Sequence, residues 1–314
     1  MTAPIAETTI HIEPRGPFNW DTMIDSLASF PPTERHWRGT AGAVRMAFPL
    51  DGDFAPVAVA LRWDGDALSV EATGSDRHSA IEAQVARIFT LDCDGSAYPA
   101  VGERDPEIGR LMSLRPGQRP LSFTSPYECA AWGILSQRIA AKMAARVQHR
   151  LIEAHGSTLE IAGERVMSFP TPEQLLGVTE FRGIPEEKLT RLHAVARAAQ
   201  DGLLDAATLR AVGRDEAVAR LQSIRGIGPF WAQMIYLRAC GIHDEFPDEP
   251  LAIAALGRLH NLGDRPSPAD VERLTDLYRP YRMWVCYLLR VCQGRGLIGG
   301  PIDATAIRRA ARRK

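Results

Sequence analysis

The segment from Leu221 to Ala232, LQSIRGIGPFWA, holds the clearest chemistry-bearing spacing in the 314-residue chain. Two helical patterns flank Arg225-Gly226-Ile227-Gly228. Glycine adopts backbone conformations closed to other residues, so Gly226 and Gly228 permit a tight turn whose N–H groups face outward. The helix that follows would add its first-turn amides, which have no intrahelical partner, and the positive end of its dipole. Such a turn can hold a phosphate group. Pro229 suits the first helical position because its missing N–H would have had no partner there. Leu221 and Ile224 can close one side of the helix pair, and Ala232 lets the second helix approach closely. An ordinary interhelical turn using G-x-G for packing would look similar, but the full L-x-x-I-x-G-I-G-x-x-x-A arrangement asks for more than two glycines.

The other reactive side chains form no such pattern. Cys93, Cys129, Cys240, Cys286 and Cys292 are odd in number, widely spread and partly set in apolar runs such as WVCYLLRVC, so buried thiols are expected rather than a disulfide framework. Cys286 and Cys292 lack a C-x-x-C partner or a neighbouring histidine. His155, His193 and His260 fall in different helical contexts, and His243-Asp244 resembles a polar turn. No metal site is expected.

The elements that must position the turn are mostly helical. Residues 130–154 place Trp132, Leu135, Ile139, Met143, Val147 and Leu151 at three- and four-residue steps, which predicts one helix with a core-facing stripe. Thr171 can cap a helix begun by Pro172. Further helices are expected over 187–199, 214–222, 230–240, 269–277 and 282–292. Ahead of them, Val57–Trp63 and Leu68–Val70 flank Asp64-Gly65 as a β-hairpin, and residues 79–90 return to helical spacing. A mixed α+β domain over 1–119 is expected, followed by a predominantly α-helical region over 120–314.

Composition fits a globular protein, with 45% apolar and 24% charged residues. No apolar 20-mer and no basic start followed by an apolar core is present, so neither a membrane span nor export is expected, and the location implied is cytoplasmic, nucleoid-associated in a bacterium. The net charge of −1 divides into −7 over residues 1–115 and +6 over 116–314, which assigns any electropositive footprint to the helical region. The basic end at 304–314 could reach phosphates or be a solvated helix terminus.

The combined segments YECAAWGILSQRIAAKMAARV, SFPTPEQLL, FRGIPEEK, LQSIRGIGPFWAQMIYL and FTLDCDG resemble the helix-hairpin-helix DNA glycosylase superfamily, specifically the DNA-3-methyladenine glycosylase II type, from about Pro17 to the last helical region. The resemblance implies that the helical region has a glycosylase-like fold of two subdomains. It also implies a hairpin at Arg225, Gly226, Ile227 and Gly228 that clamps DNA phosphate. A gap-filling residue follows Gln137 and falls at Arg138. Arg138 can equally be an exposed arginine on a helix whose other face is buried. Members that cleave the backbone carry Lys two residues after the second hairpin glycine, where Phe230 stands here; this implies a monofunctional enzyme without lyase activity, needing no cofactor.

The family motif F-P-x-x-D-x-x-L meets Phe246-Pro247-Asp248-Glu249-Pro250-Leu251 here, so Pro250 occupies the place of the catalytic Asp. Glu249 and, after it, Asp248 are the candidate replacements; both are also explained as helix-start carboxylates, and a third possibility is that no equivalent exists. Phe230, Trp231, Met234 and Trp284 are base-pocket candidates with the periodicity of core residues as well. The expected function is excision of flipped alkylated purines from double-stranded DNA, alkylated or distorted, by a monomer. The alternative is a protein that binds DNA lesions or structures and breaks no bond.

Overall fold

The computed structural model describes residues 8–30, 38–40 and 42–302. The basic end at 304–314 lies outside them. In chain order the elements begin with β1 (Thr8–Ile12), α1 (Trp20–Ala28), β2 (Arg38–Thr40), β3 (Ala43–Pro49), β4 (Pro56–Trp63), β5 (Leu68–Thr73) and α2 (His78–Ile88). The helices α3 (Pro99–Arg104), α4 (Pro106–Leu114), α5 (Pro126–Leu135) and α6 (Ala141–His155) follow, then β6 (Thr158–Ile161) and β7 (Glu164–Met167). The remainder is helical: α7 (Pro172–Leu176), α8 (Glu186–Gln200), α9 (Ala206–Ala211), α10 (Arg214–Ser223), α11 (Pro229–Ala239), α12 (Pro250–Leu259), α13 (Pro268–Asp276) and α14 (Arg282–Gly294).

Two compact units result, and each draws on three segments: 1–14, 24–92 and 121–241 in the first, 15–23, 93–120 and 242–314 in the second. They do not follow the contiguous division expected at residue 119. The first unit contains an antiparallel sheet in the order β1-β5-β4-β3-β2. Its β4–β5 hairpin turns at Asp64-Gly65 as expected, with Gly65 at φ 113° and the Asp64 carboxylate accepting from the Asp66 and Ala67 N–H groups. A second hairpin, β6–β7, was not expected from sequence. It turns through Ala162 (φ 48°) and Gly163 (φ 73°), and it packs Ile161 and Val166 on Ala47, Ala58 and Ala60 of the sheet, where small side chains allow a close approach.

The helix expected over 130–154 is two helices. α5 ends at Leu135 and α6 starts at Ala141, and Ile139 and Met143 are 39% and 48% exposed instead of lining the core. At the break Arg138 takes a left-handed conformation (φ 60°), which interrupts the helical hydrogen-bond ladder. Every residue of α5 is buried. The capping pattern at Thr171 is a full capping box with Gln174. Cys129, Cys240, Cys286 and Cys292 are buried thiols.

Candidate nucleic-acid interface

In the first unit the turn between α10 and α11 has the form that the sequence implies. Leu221, Ile224, Ile227 and Ala232 are buried and hold the two helices together, while Arg225, Gly228, Pro229 and Phe230 face outward. Ile227 therefore contributes backbone rather than side chain to the outer surface. Gly226 sits at φ 97°, and a Cβ there would come within 2.8 Å of the Arg191 side chain and 2.9 Å of Ile134. Gly228 differs in kind. It is the N-cap of α11 at φ −91°, and nothing lies within 4 Å of a Cβ built on it. Pro229 occupies N1, and the first bond of the helix is Ala232 N–H to the Gly228 carbonyl at 2.9 Å. The amides ahead of Ala232 belong to the first turn, where no intrahelical acceptor exists.

The α5–α6 loop is tied to this hairpin. Gln137 Nε2 donates to the Gly226 carbonyl at 2.9 Å, and Arg191 Nη1 of α8 donates to Gln137 Oε1 at 2.8 Å. Lys188 Nζ donates to the carbonyls of Leu135 and Gln137, each at 2.8 Å. Leu135 is the last residue of α5, where a cation is favoured by the helix dipole, and Gln137 lies in the loop just beyond it. Burial lowers the Lys188 pKa, and the charges of Arg191 and Arg138 lower it further. Arg138 itself is exposed beside the exposed Ile139. The structure thus brings Arg225–Gly228, Gln137 and the base of Arg138 into one bonded group.

Of the base-pocket candidates in this unit, Phe230 is 39% exposed and meets Trp231 edge-on at 5.5 Å. Trp231 lies on Gly133 of α5, where a Cβ would approach its ring to 2.9 Å, so that glycine is needed for the α5–α11 contact. Met234 is buried.

The remaining candidates belong to the second unit. Glu249 is 1% exposed and is the N-cap of α12: its Oε2 accepts from the Ala252 N–H at 2.7 Å, with Pro250 at N1. Its Oε1 lies 2.5 Å from Arg290 Nη1 of α14, an ion pair without hydrogen-bond alignment. Asp248 is exposed. Trp284 is buried in an aromatic cluster, 4.8 Å from Tyr98 and 5.1 Å from Tyr281 between ring centres, with the Arg119 guanidinium 5.0 Å over its ring. Arg119 is fully buried and donates to the carbonyls of Arg15, Gly16, Pro17 and Cys93. A cavity of about 340 Å³ in this unit is lined by residues including Tyr98, Met112, Arg115, Gln118 and Leu288, and by none of the four pocket candidates.

No family model matches the chain. DNA-3-methyladenine glycosylase of Bacillus subtilis is 25% identical over 205 residues, covering 63% of this chain and 66% of the relative. DNA-3-methyladenine glycosylase 2 of Escherichia coli is 27% identical over 207 residues, covering 64% of this chain and 68% of the relative. Among solved structures, the 3-methyladenine DNA-glycosylase of Archaeoglobus fulgidus superposes with a TM-score of 0.74 at 22% identity, over 90% of this chain and 97% of that one. The chain is thus similar in sequence to DNA-3-methyladenine glycosylases and has the fold of the helix-hairpin-helix DNA glycosylases.

The match to the two curated relatives spans about two thirds of their length. The protein has the expected fold class, a small antiparallel sheet with a predominantly helical remainder. Several residues that the structure bonds to the candidate segments of each unit carry little signal in the sequence. Lys188 and Arg191 lie three apart on α8, a spacing that puts them on one helix face, and Lys188 ends the segment FRGIPEEK. That spacing was the available signal. Arg119 and Arg290 carry none, because both act through tertiary contacts.

Proposed function

We propose that the protein is a base-excision DNA glycosylase that releases alkylated purines, without cleaving the strand. The observation that carries this reading is the outward-facing hairpin Arg225–Gly228, bonded through Gly226 to Gln137 and so to the exposed Arg138. Hairpin amides would hold a phosphate, Arg138 would fill the space left by an extruded nucleotide, and Phe230, Trp231, Met234 and Trp284 are the residues proposed to meet the base. In the reaction the N-glycosidic bond breaks with its electron pair going to the purine. Alkylation at N3 or N7 has made the purine cationic, so it departs neutral. A water oxygen then bonds the sugar carbon and loses its proton. The sugar passes through a cationic state that a carboxylate stabilises. Glu249 is the proposed carboxylate, with Asp248 second. Phe230, where lyases of this superfamily carry Lys, supports a monofunctional enzyme. The chain is proposed to act as a monomer on duplex DNA in the cytoplasm, nucleoid-associated in a bacterium.

A second reading, lesion recognition without bond cleavage, is favoured by one observation: Pro250 replaces the expected Asp, and both Glu249 oxygens face other partners. Duplexes carrying 3-methyladenine or 7-methylguanine decide between the two. The first reading expects free base with an intact strand under single-turnover conditions. Tight lesion binding with no release from any alkylated base would establish the second.

A further inference from the structure

The geometry points to Lys188 as a positioning residue that sets the reach of Arg138 into DNA by holding the α5–α6 loop in its left-handed turn. The inference rests on the proposed role of Arg138 and goes beyond it, because it names what fixes that side chain. Arg138 stands at φ 60°, a conformation that is unfavourable for a non-glycine residue and that persists only where neighbouring contacts impose it. Here the imposing contacts lie immediately before it. The Gln137 carbonyl is held by Lys188 at 2.8 Å, and the Gln137 side chain is gripped between Arg191 (2.8 Å) and the Gly226 carbonyl (2.9 Å). Lys188 also takes the Leu135 carbonyl, so one ammonium ends α5 and fixes the first residues of the loop. Released from Lys188, the segment 136–140 would be free to continue α5 as a helix, the conformation that its apolar spacing favours, and Arg138 would leave its outward position.

Lys188→Met tests this, with Lys188→Arg as the variant able to keep donating to both carbonyls. Hydrogen exchange on the free proteins should show slower exchange over 136–140 in Lys188→Met, as these amides enter the extended helix, with the amides of α8 and α11 unchanged. The DNA probe is a duplex with an abasic tetrahydrofuran residue opposite 2-aminopurine, whose fluorescence reports entry of a side chain into the gap. Lys188→Met should lose most of the wild-type fluorescence change while keeping its affinity for undamaged duplex within about 2-fold, the hairpin being intact. Lys188→Arg should restore the signal. Combined with Arg138→Ala, Lys188→Met should add no further loss, whereas a general loss of stability would add to it. Base release should fall roughly 10- to 100-fold, the scale of a misplacement near 1 Å. If wild type shows the fluorescence change and Lys188→Met keeps it, or if the two substitutions are additive, the positioning role is overturned and the glycosylase reading stands. If wild type binds the abasic duplex no better than undamaged DNA and gives no signal, the proposed role of Arg138 fails, and this inference fails with it.

Discussion

Replacing Glu249 by Gln keeps the side-chain volume and an oxygen able to accept from the Ala252 N–H, while removing the charge that faces Arg290. Two effects can then be told apart by size. Arg290 is 40% exposed, so solvent screens the lost pair, and the loss of stability should stay near 1 kcal/mol, a shift of a few degrees in Tm. A carboxylate that stabilises the cationic sugar should cost more when neutralised: at least ~10-fold in single-turnover base release, with lesion-DNA affinity changing much less. Full wild-type rate in a folded Glu249→Gln protein would remove Glu249 from the chemistry and make Asp248→Asn the next comparison. The helix start itself was legible at this scale, since an acidic residue ahead of a proline is a recognisable N-terminal pattern. Arg290 was not, because the ion pair joins residues on two different helices and no local spacing encodes it.

The hairpin separates into two glycines with opposite requirements, and that contrast yields a paired prediction at the level of the element. At Gly228 the backbone is open to any residue and the space is empty, and the position is an N-cap, where Asp is among the preferred residues. Gly228→Asp should therefore leave Tm unchanged or slightly raised, yet weaken DNA binding about 10-fold or more at low salt, where phosphate repulsion is least screened. Gly226→Ala should do the reverse in the first respect. Its positive φ and the 2.8 Å approach to Arg191 predict a lower Tm by roughly 1–3 kcal/mol of strain. Thermal unfolding beside fluorescence anisotropy on a labelled duplex checks both, and unchanged affinity in folded Gly228→Asp would take Gly228 out of the interface. The turn was readable because its signals are local: two glycines, a proline and flanking apolar steps. The break between α5 and α6 was not readable for the opposite reason. Gln137 to Ala140 contain neither Gly nor Pro, their apolar spacing continues a helix, and the carbonyl contacts made at the break come from Lys188, some fifty residues later. The β6–β7 hairpin was missed because its four-residue strands and Ala-Gly turn carry weaker signals than Asp64-Gly65.

At the scale of the whole molecule, what resisted reading was the path of the chain between the two units. Each draws on three segments, and although the net charge changes sign near residue 115, no shift in composition marks residues 92 or 241, because the pattern that buries a helix does not name the unit that buries it. The first unit encloses a carboxyl group with a global consequence. Glu128, in the first turn of the buried α5, accepts from the Thr124 hydroxyl and, at 3.3 Å, from Gln148 Nε2. Burial pushes its pKa up from the ordinary 4.5 to about 7, the Thr124 bond opposing the shift. For an acid raised in the folded state, the protonated form is the one the fold accepts. The contribution to stability is fully present below pH 4.5 and is lost as the pH rises through about 7. Asp51, buried beside Arg87, is also raised, and so acts in the same direction. Glu128→Gln isolates the first of these groups: it removes the ionisation while keeping an oxygen for Thr124 and a side chain of the same size. The variant should be more stable than wild type at pH 8.5 by about 1–3 kcal/mol, and the gap should close as the pH falls to 5. Denaturant unfolding of both proteins across that range measures it. A difference that stays constant with pH would mean that Glu128 does not titrate between 5 and 8.5, and that the Thr124 and Gln148 contacts hold its carboxylate ionised inside the fold.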